Sequence, residues 1–252
     1  IRALPVDMVF ARGQKVAENG RLLVACPHYA WPVEARRTVH VGKTLAGRDF
    51  EIAAPVGANA VRARVIGVVE NQAPTRALEL ELPVIERIVE PGAAEAVEVC
   101  QIALVERHRG TGKVTNGFVS GFGYQGRMAI ASTVAHDSHH MIVVGIDRAL
   151  MARAANRLAE IGGGVTVWKD DRELAVVELP IAGLMSDSPA REVADRARQM
   201  VAAMEECGCR LNNAYMQHSL LALVVIPELR ISDLGLVDVT KFEITDVFVA
   251  NA

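Results

Sequence analysis

Apolar and charged residues alternate through the first half of the chain. Val61-Arg62-Ala63-Arg64-Val65 and Leu78-Glu79-Leu80-Glu81-Leu82 each put apolar side chains on one face and charges on the other. Strands with one wet face read this way, and Pro83 is expected to end the second. Residues 49–105 as a whole are β-rich, with a turn at Pro91-Gly92 and a longer strand over 97–105. Ahead of them, the apolar run 6–10, residues 15–17 and residues 21–25 form short strands around Asn19-Gly20, a strong hairpin dipeptide. Two or three strands bury no core of their own, so this segment needs a partner sheet. Pro27, Trp31 and Pro32 interrupt the pattern and mark a linker or crossing segment over 26–40.

The period changes to helical after residue 147. Asp147 is an N-cap, Leu150, Ala154, Leu158 and Ile161 recur at helical spacing, and Gly162-Gly163-Gly164 ends the helix. A phosphate loop is the wrong reading of these glycines, because they follow a helix C-terminus, whose dipole repels anions. They lead into a strand at 165–168, which pairs as a hairpin with 174–179. A second helix starts with Ser188 as N-cap and Pro189 at the first helical position. Its apolar stripe is Val193, Ala197, Met200, Val201 and Met204, with methionines as core filler, and Gly208 stops it. The chain closes with the apolar run 220–226, a loop at 232–235 and a last strand over 243–250. The expected class is α+β, with mixed, mostly antiparallel sheets and two main helices.

Gly121-Phe122-Gly123-Tyr124-Gln125-Gly126 fits Gly-x-Gly-x-x-Gly, but a dinucleotide fingerprint needs a helix to open after it. Residues 128–133 continue as a strand instead. Glycines here serve close backbone approach or a bulge.

Composition narrows the class further. The chain has 252 residues, 51% of them apolar but only 4% aromatic, so the core is aliphatic. A net charge of −3 without a basic block gives no support for nucleic acid or an anionic membrane as partner. No apolar run is long enough to span a bilayer. Four scattered cysteines, with Cys207 and Cys209 one residue apart, fit reduced thiols and a cytoplasmic location. The opening Ile-Arg-Ala-Leu-Pro is not a signal peptide and lacks an initiator Met, which points to a fragment or processed chain.

The candidate chemistry sits in residues 131–140, Ala-Ser-Thr-Val-Ala-His-Asp-Ser-His-His, which hold three of the seven histidines. Polar groups between two apolar runs are costly to bury without partners. The stretch therefore reads as a strand end or tight turn presenting imidazoles and a carboxylate at a cleft. His136, Asp137 and His139 are of the right types for metal ligands. The alternative is a polar knot pinning a turn, with Asp137 capping backbone amides. Residues three apart on a strand face opposite ways, so His136 and His139 converge only if Asp137 and Ser138 turn, with Met141 opening the next strand. His108, after the strand ending at 105, is a surface loop residue unless that loop folds back toward His136.

Four stretches together carry a family resemblance. They are Ser132-Thr133-Val134-Ala135-His136-Asp137-Ser138-His139, Leu179-Pro180-Ile181-Ala182-Gly183-Leu184-Met185-Ser186-Asp187, Val225-Ile226-Pro227-Glu228-Leu229 and Gly235-Leu236-Val237-Asp238-Val239. Over roughly residues 95–250 they resemble the carboxy-terminal domain of bacterial adenine deaminase. The segment 117–123 resembles the one before its histidine motif, and His140 departs from the Asn usual there. Residues 6–24 resemble the strand pair closing the small β domain beside the family's barrel. The resemblance implies residues 1–32 as the remnant of that small domain and 33–252 as the carboxy-terminal α+β domain. It also implies hydrolysis of adenine to hypoxanthine and ammonia in purine salvage, with manganese or iron activating water.

The barrel's His-x-His pair is absent from this sequence, so the main ligands are expected outside it and the chain alone is expected to be inactive. His136, Asp137 and His139 are then candidates at the active-site mouth, His136 and His139 as metal ligands, and Ser138 and His108 as substrate contacts. A homo-oligomer is expected, because Val6, Val9 and Phe10 would otherwise lie exposed. The competing reading is a non-catalytic oligomerisation or stabilising domain.

Overall fold

A computed structural model describes residues 6–25, 29–93 and 98–250. The chain divides into two compact units, residues 1–32 and 33–252. In the first, β1 (Met8–Ala11), β2 (Gln14–Glu18) and β3 (Arg21–Leu22) form an antiparallel three-stranded sheet. Asn19 and Gly20 both take left-handed backbone, φ 48° and 73°, the combination that a two-residue hairpin turn demands. Glu18 accordingly pairs with Arg21. The returning strand is shorter than the expected 21–25. Phe10 is 62% exposed. The expected strand edge and linker fall partly at residues 1–5 and 26–28, outside the described residues.

The second unit opens with a one-turn helix, α1 (Val33–Arg36), inside the stretch read as linker. There follow β4 (Ala60–Gly67), β5 (Arg76–Ile85), β6 (Ile88–Val89), β7 (Cys100–Val105), β8 (Val114–Ser120), β9 (Met128–Ser132) and β10 (Met141–Gly145). Then come α2 (Arg148–Ile161), β11 (Gly164–Lys169), β12 (Arg172–Glu178), α3 (Ala190–Glu206), α4 (Ala214–Leu220), β13 (Leu229–Ile231), β14 (Leu236–Asp238) and β15 (Glu243–Thr245). Nine strands make one sheet in the order β12-β11-β9-β10-β7-β8-β4-β5-β6, and β13-β14-β15 make a second. Every pairing is antiparallel except β4 with β8. The α+β class stands.

Strands β7, β9 and β10 are buried along their whole length. Their alternate residues feed two different cores. Ile102, Leu104, Ile130, Ile142 and Val144 face Met200 and Met204 of α3 and Leu229 and Ile231 of β13. Ala103, Val105, Ala129, Ala131, Met141 and Val143 meet Leu150, Met151, Ala154, Ala155 and Leu158 of α2. A sheet covered on both faces needs unbroken apolar strands, which these sequences supply.

Several expectations are corrected. Pro83 lies inside β5, where pairing passes from β4 to β6. There it needs no amide, and its carbonyl accepts from Glu90 N. The strand expected over 97–105 begins at Cys100, while 94–97 lie outside the described residues. Pro189 caps α3 rather than opening it, without a side-chain cap bond. Val201 is 48% exposed, off the buried stripe. The apolar run 220–226 begins on the last residue of α4, a helix that the periodicity did not announce, and continues through turns. The last strand is only Glu243–Thr245, continued by antiparallel contact of Phe248 with Ala63. Gly121, at φ 105°, packs so closely that a Cβ would lie 2.7 Å from the Val68 carbonyl oxygen. Close approach, not nucleotide binding, accounts for that glycine.

Candidate active-site turn

The polar stretch is the connection from β9 to β10, two strands whose pairing starts at Ser132 opposite Ile142. Residues 136–138 turn, and Met141 opens the next strand, as the convergence of the two histidines required. Local bonds explain why. Thr133, fully buried, accepts from Gly164 N at 2.8 Å and donates to the Gly183 carbonyl at 2.6 Å. Ser132 Oγ accepts from Val134 N, and His136 N donates to the Ser219 carbonyl on α4. His139 N closes the turn on Ala135 O at 2.7 Å, and His139 takes left-handed backbone at φ 49°.

Side chains of the turn divide into two kinds. Asp137 and Ser138 are exposed, whereas His136 and His139 are half-buried. The two imidazoles meet edge to face with centroids 5.3 Å apart. His139 Nδ1 accepts from Ala135 N at 3.1 Å. Burial lowers the His139 pKa below its ordinary 6.5, and positive charge at His136 and Arg107 adds to this against Asp137. No amide-capping bond from Asp137 occurs among the described residues. Thr133 and Ser132 supply the structural knot, and Asp137 is left facing solvent.

Beneath the turn lies Arg107, 1% exposed. Its guanidinium donates to the carbonyls of His139, Thr38 and Ala182. It thereby ties together the histidine turn, the stretch after α1 and the 179–187 loop. Burial pulls its pKa down to about 10, so it stays charged at neutral pH. Gly183, at φ 71°, must be glycine here, because a Cβ would come within 2.7 Å of a guanidinium nitrogen. The same loop is held from outside by Arg36 with Asp187 at 2.7 Å.

His108 is exposed, yet its loop does fold back. Nε2 donates to the Ser138 carbonyl at 2.8 Å, and its ring lies 4.7 Å from that of His140. Next to it, burial would raise the Glu106 carboxyl, but amide bonds from Arg109, Thr111 and His108 outweigh this and hold it at about 2. His140 is 8% exposed, with Nδ1 4.0 Å from Glu106 and Nε2 3.7 Å from Asp233. Burial lowers its pKa, against the Asp233 charge. The turn is thus ringed by His108, His136, His139 and His140 over one buried guanidinium.

Sequence reasoning singled out His108, His136, Asp137, Ser138 and His139, and these five share one turn and its neighbouring loop. It missed Arg107, Glu106 and Asp233. A signal was available for the first two: a charged pair, Glu106-Arg107, directly after an apolar strand has to be bonded internally. Among the described residues no group of three His, Cys, Asp or Glu side chains is placed to hold a metal ion. A manganese or iron site complete within these residues does not fit.

An α+β domain with a mixed sheet, offering a histidine-lined turn at the end of two buried strands, is the class of protein that this geometry defines. The model of the adenine deaminase C-terminal domain matches residues 72–243, and the chain belongs to that family. Relatives named adenine deaminase include those of Ruegeria pomeroyi, 73% identical over 98% of this chain, and Paracoccus denitrificans, 67% identical over 99%. That of Moorella thermoacetica is 44% identical over 96%. The chain spans 40–41% of the length of these relatives. No helix among the described residues is long and apolar enough to cross a membrane.

Proposed function

We propose that this chain is the carboxy-terminal part of an enzyme that hydrolyses adenine to hypoxanthine and ammonia. Water adds at C6 of the purine, the exocyclic amine leaves as ammonia, and the oxygen remains as the C6 carbonyl. The observation that carries the reading is the family match over residues 72–243, within which all four motif stretches lie. The Leu179 to Asp187 loop and the histidine turn meet at one guanidinium. Their joint placement supports a site rather than scattered structural roles.

In this reading residues 1–32 belong to a small β domain flanking a metal-binding barrel supplied by another part of the protein. The exposed Val9, Phe10 and Leu22 side chains support a covering partner there. Manganese or iron is held by that barrel, where it supplies an activated water. His136, Asp137 and His139 stand at the mouth of the active site, with Ser138 and His108 beside the substrate. The enzyme works in cytoplasmic purine salvage as a homo-oligomer.

The test is ammonia release from adenine. The chain alone, with or without manganese, is expected to give none above the buffer rate. The chain joined to the amino-terminal part of the Ruegeria pomeroyi relative is expected to be active. Activity of the isolated chain would overturn the division of labour. An active joined protein indifferent to His136→Ala would favour a purely stabilising domain.

A further inference from the structure

The tautomer of His139 follows from its surroundings. A neutral imidazole has one N–H and one lone pair. The Ala135 amide donates to Nδ1, so Nδ1 carries the lone pair and Nε2 carries the proton. The ring has little freedom to change this. Its residue is pinned through its own amide to the Ala135 carbonyl and through its carbonyl to Arg107. Only Nε2 is left to meet a ligand. A nitrogen bearing a proton offers no lone pair to a metal, whereas a donor offers itself to a lone pair.

We propose that His139 is a specificity-determining residue that donates an Nε2–H hydrogen bond to a ring nitrogen of a neutral heteroaromatic ligand, with Arg107 as its positioning residue. His139 is accordingly not a metal ligand. The identity of the ligand as a purine rests on the functional reading above, while the donor role rests on the turn alone. The exocyclic amine of adenine is a donor and cannot pair with Nε2–H. A ring nitrogen of adenine can, and its replacement by C–H removes the acceptor.

Two measurements test this. The first reads the tautomer in the chain itself, by long-range proton–nitrogen correlation of ¹⁵N-labelled histidines at pH 8, His139 being assigned with His139→Gln. The expected result is roughly a tenfold excess of the Nε2–H form, about what one amide hydrogen bond enforces. It should be unchanged by equimolar Zn²⁺, a diamagnetic probe of ligation. A dominant Nδ1–H form, an even mixture, or loss of Nε2–H on adding zinc would overturn the proposal and leave the proposed activity standing.

The second uses the joined protein and the deaza analogues of adenine, each lacking one ring nitrogen. His139→Ala is expected to weaken adenine binding roughly tenfold, while one analogue binds wild type and variant alike. Equal weakening of adenine and every analogue would overturn the pairing. Absence of adenine turnover in the joined wild type would instead sink the functional reading, with the tautomer still read from the chain.

Discussion

Two regions of this molecule keep an imidazole neutral, by opposite means. In the β9–β10 turn His139 is half-buried, one ring nitrogen engaged by an amide and the other without a partner among the described residues. On α4, His218 is 1% exposed against Phe122, 4.6 Å between ring centroids, and neither ring nitrogen has a partner among the described residues. Burial drives the His218 pKa to about 3. The contrast separates shaping a group for use from merely confining it. Perturbed titration alone would rank His218 first, yet it is closed off from solvent, whereas the half-buried His139 has a defined donor nitrogen without a partner among the described residues.

The strongest way to break the contrast is to remove what supports the turn. Arg107→Met leaves three half-buried carbonyls without their donor and a cavity under the turn, and is expected to cost about 3–5 kcal/mol in denaturant unfolding. A loss below about 1 kcal/mol would mean that the turn is held without it.

His218 should show itself through acid lability. Its pKa in the fold lies below the ordinary 6.5, so the unfolded chain binds a proton that the folded chain refuses. Its contribution is therefore full above about pH 6.5 and is lost as pH falls toward 3. At pH 5 the penalty is about 2 kcal/mol, at roughly 1.4 kcal/mol per pH unit. His218→Leu should flatten the slope of stability against pH between 6.5 and 4. An unchanged slope would show the ring solvated or partnered in solution.

A smaller effect belongs to the open face. Asp137→Ala and Ser138→Ala change exposed side chains and should move stability by no more than about 0.5 kcal/mol. A larger loss from Asp137→Ala would return that carboxylate to the structural knot.

Legibility in the sequence follows the same contrast. The turn was readable because alternation of faces forbids His136 and His139 from meeting on a strand, and two apolar runs bracket them. Asp147 and Gly162 were readable as caps because each acts within its own helix, Asp147 accepting from Leu150 N and Gly162 turning left-handed. What was not legible depends on distant partners. Pro83 survives inside β5 because the strand changes neighbours there. The run 220–226 is apolar throughout and shows no periodicity, but Arg230 takes the Leu220 and Ile226 carbonyls, together with Ala73 O from far along the chain. Arg107 likewise joins Thr38, His139 and Ala182, a convergence that no local spacing announces.

The central claim is that the turn serves a reaction rather than the fold, and His136 tests it most directly. Its imidazole is half-buried and makes no side-chain hydrogen bond among the described residues, so its removal should cost the fold little. In the chain joined to the amino-terminal part of an adenine deaminase relative, turnover of adenine and unfolding free energy are measured together for wild type and His136→Ala. The account predicts a fall in kcat/KM of about a hundredfold or more with stability within about 0.5 kcal/mol. Near-normal kcat/KM with a loss of 2 kcal/mol or more would contradict it.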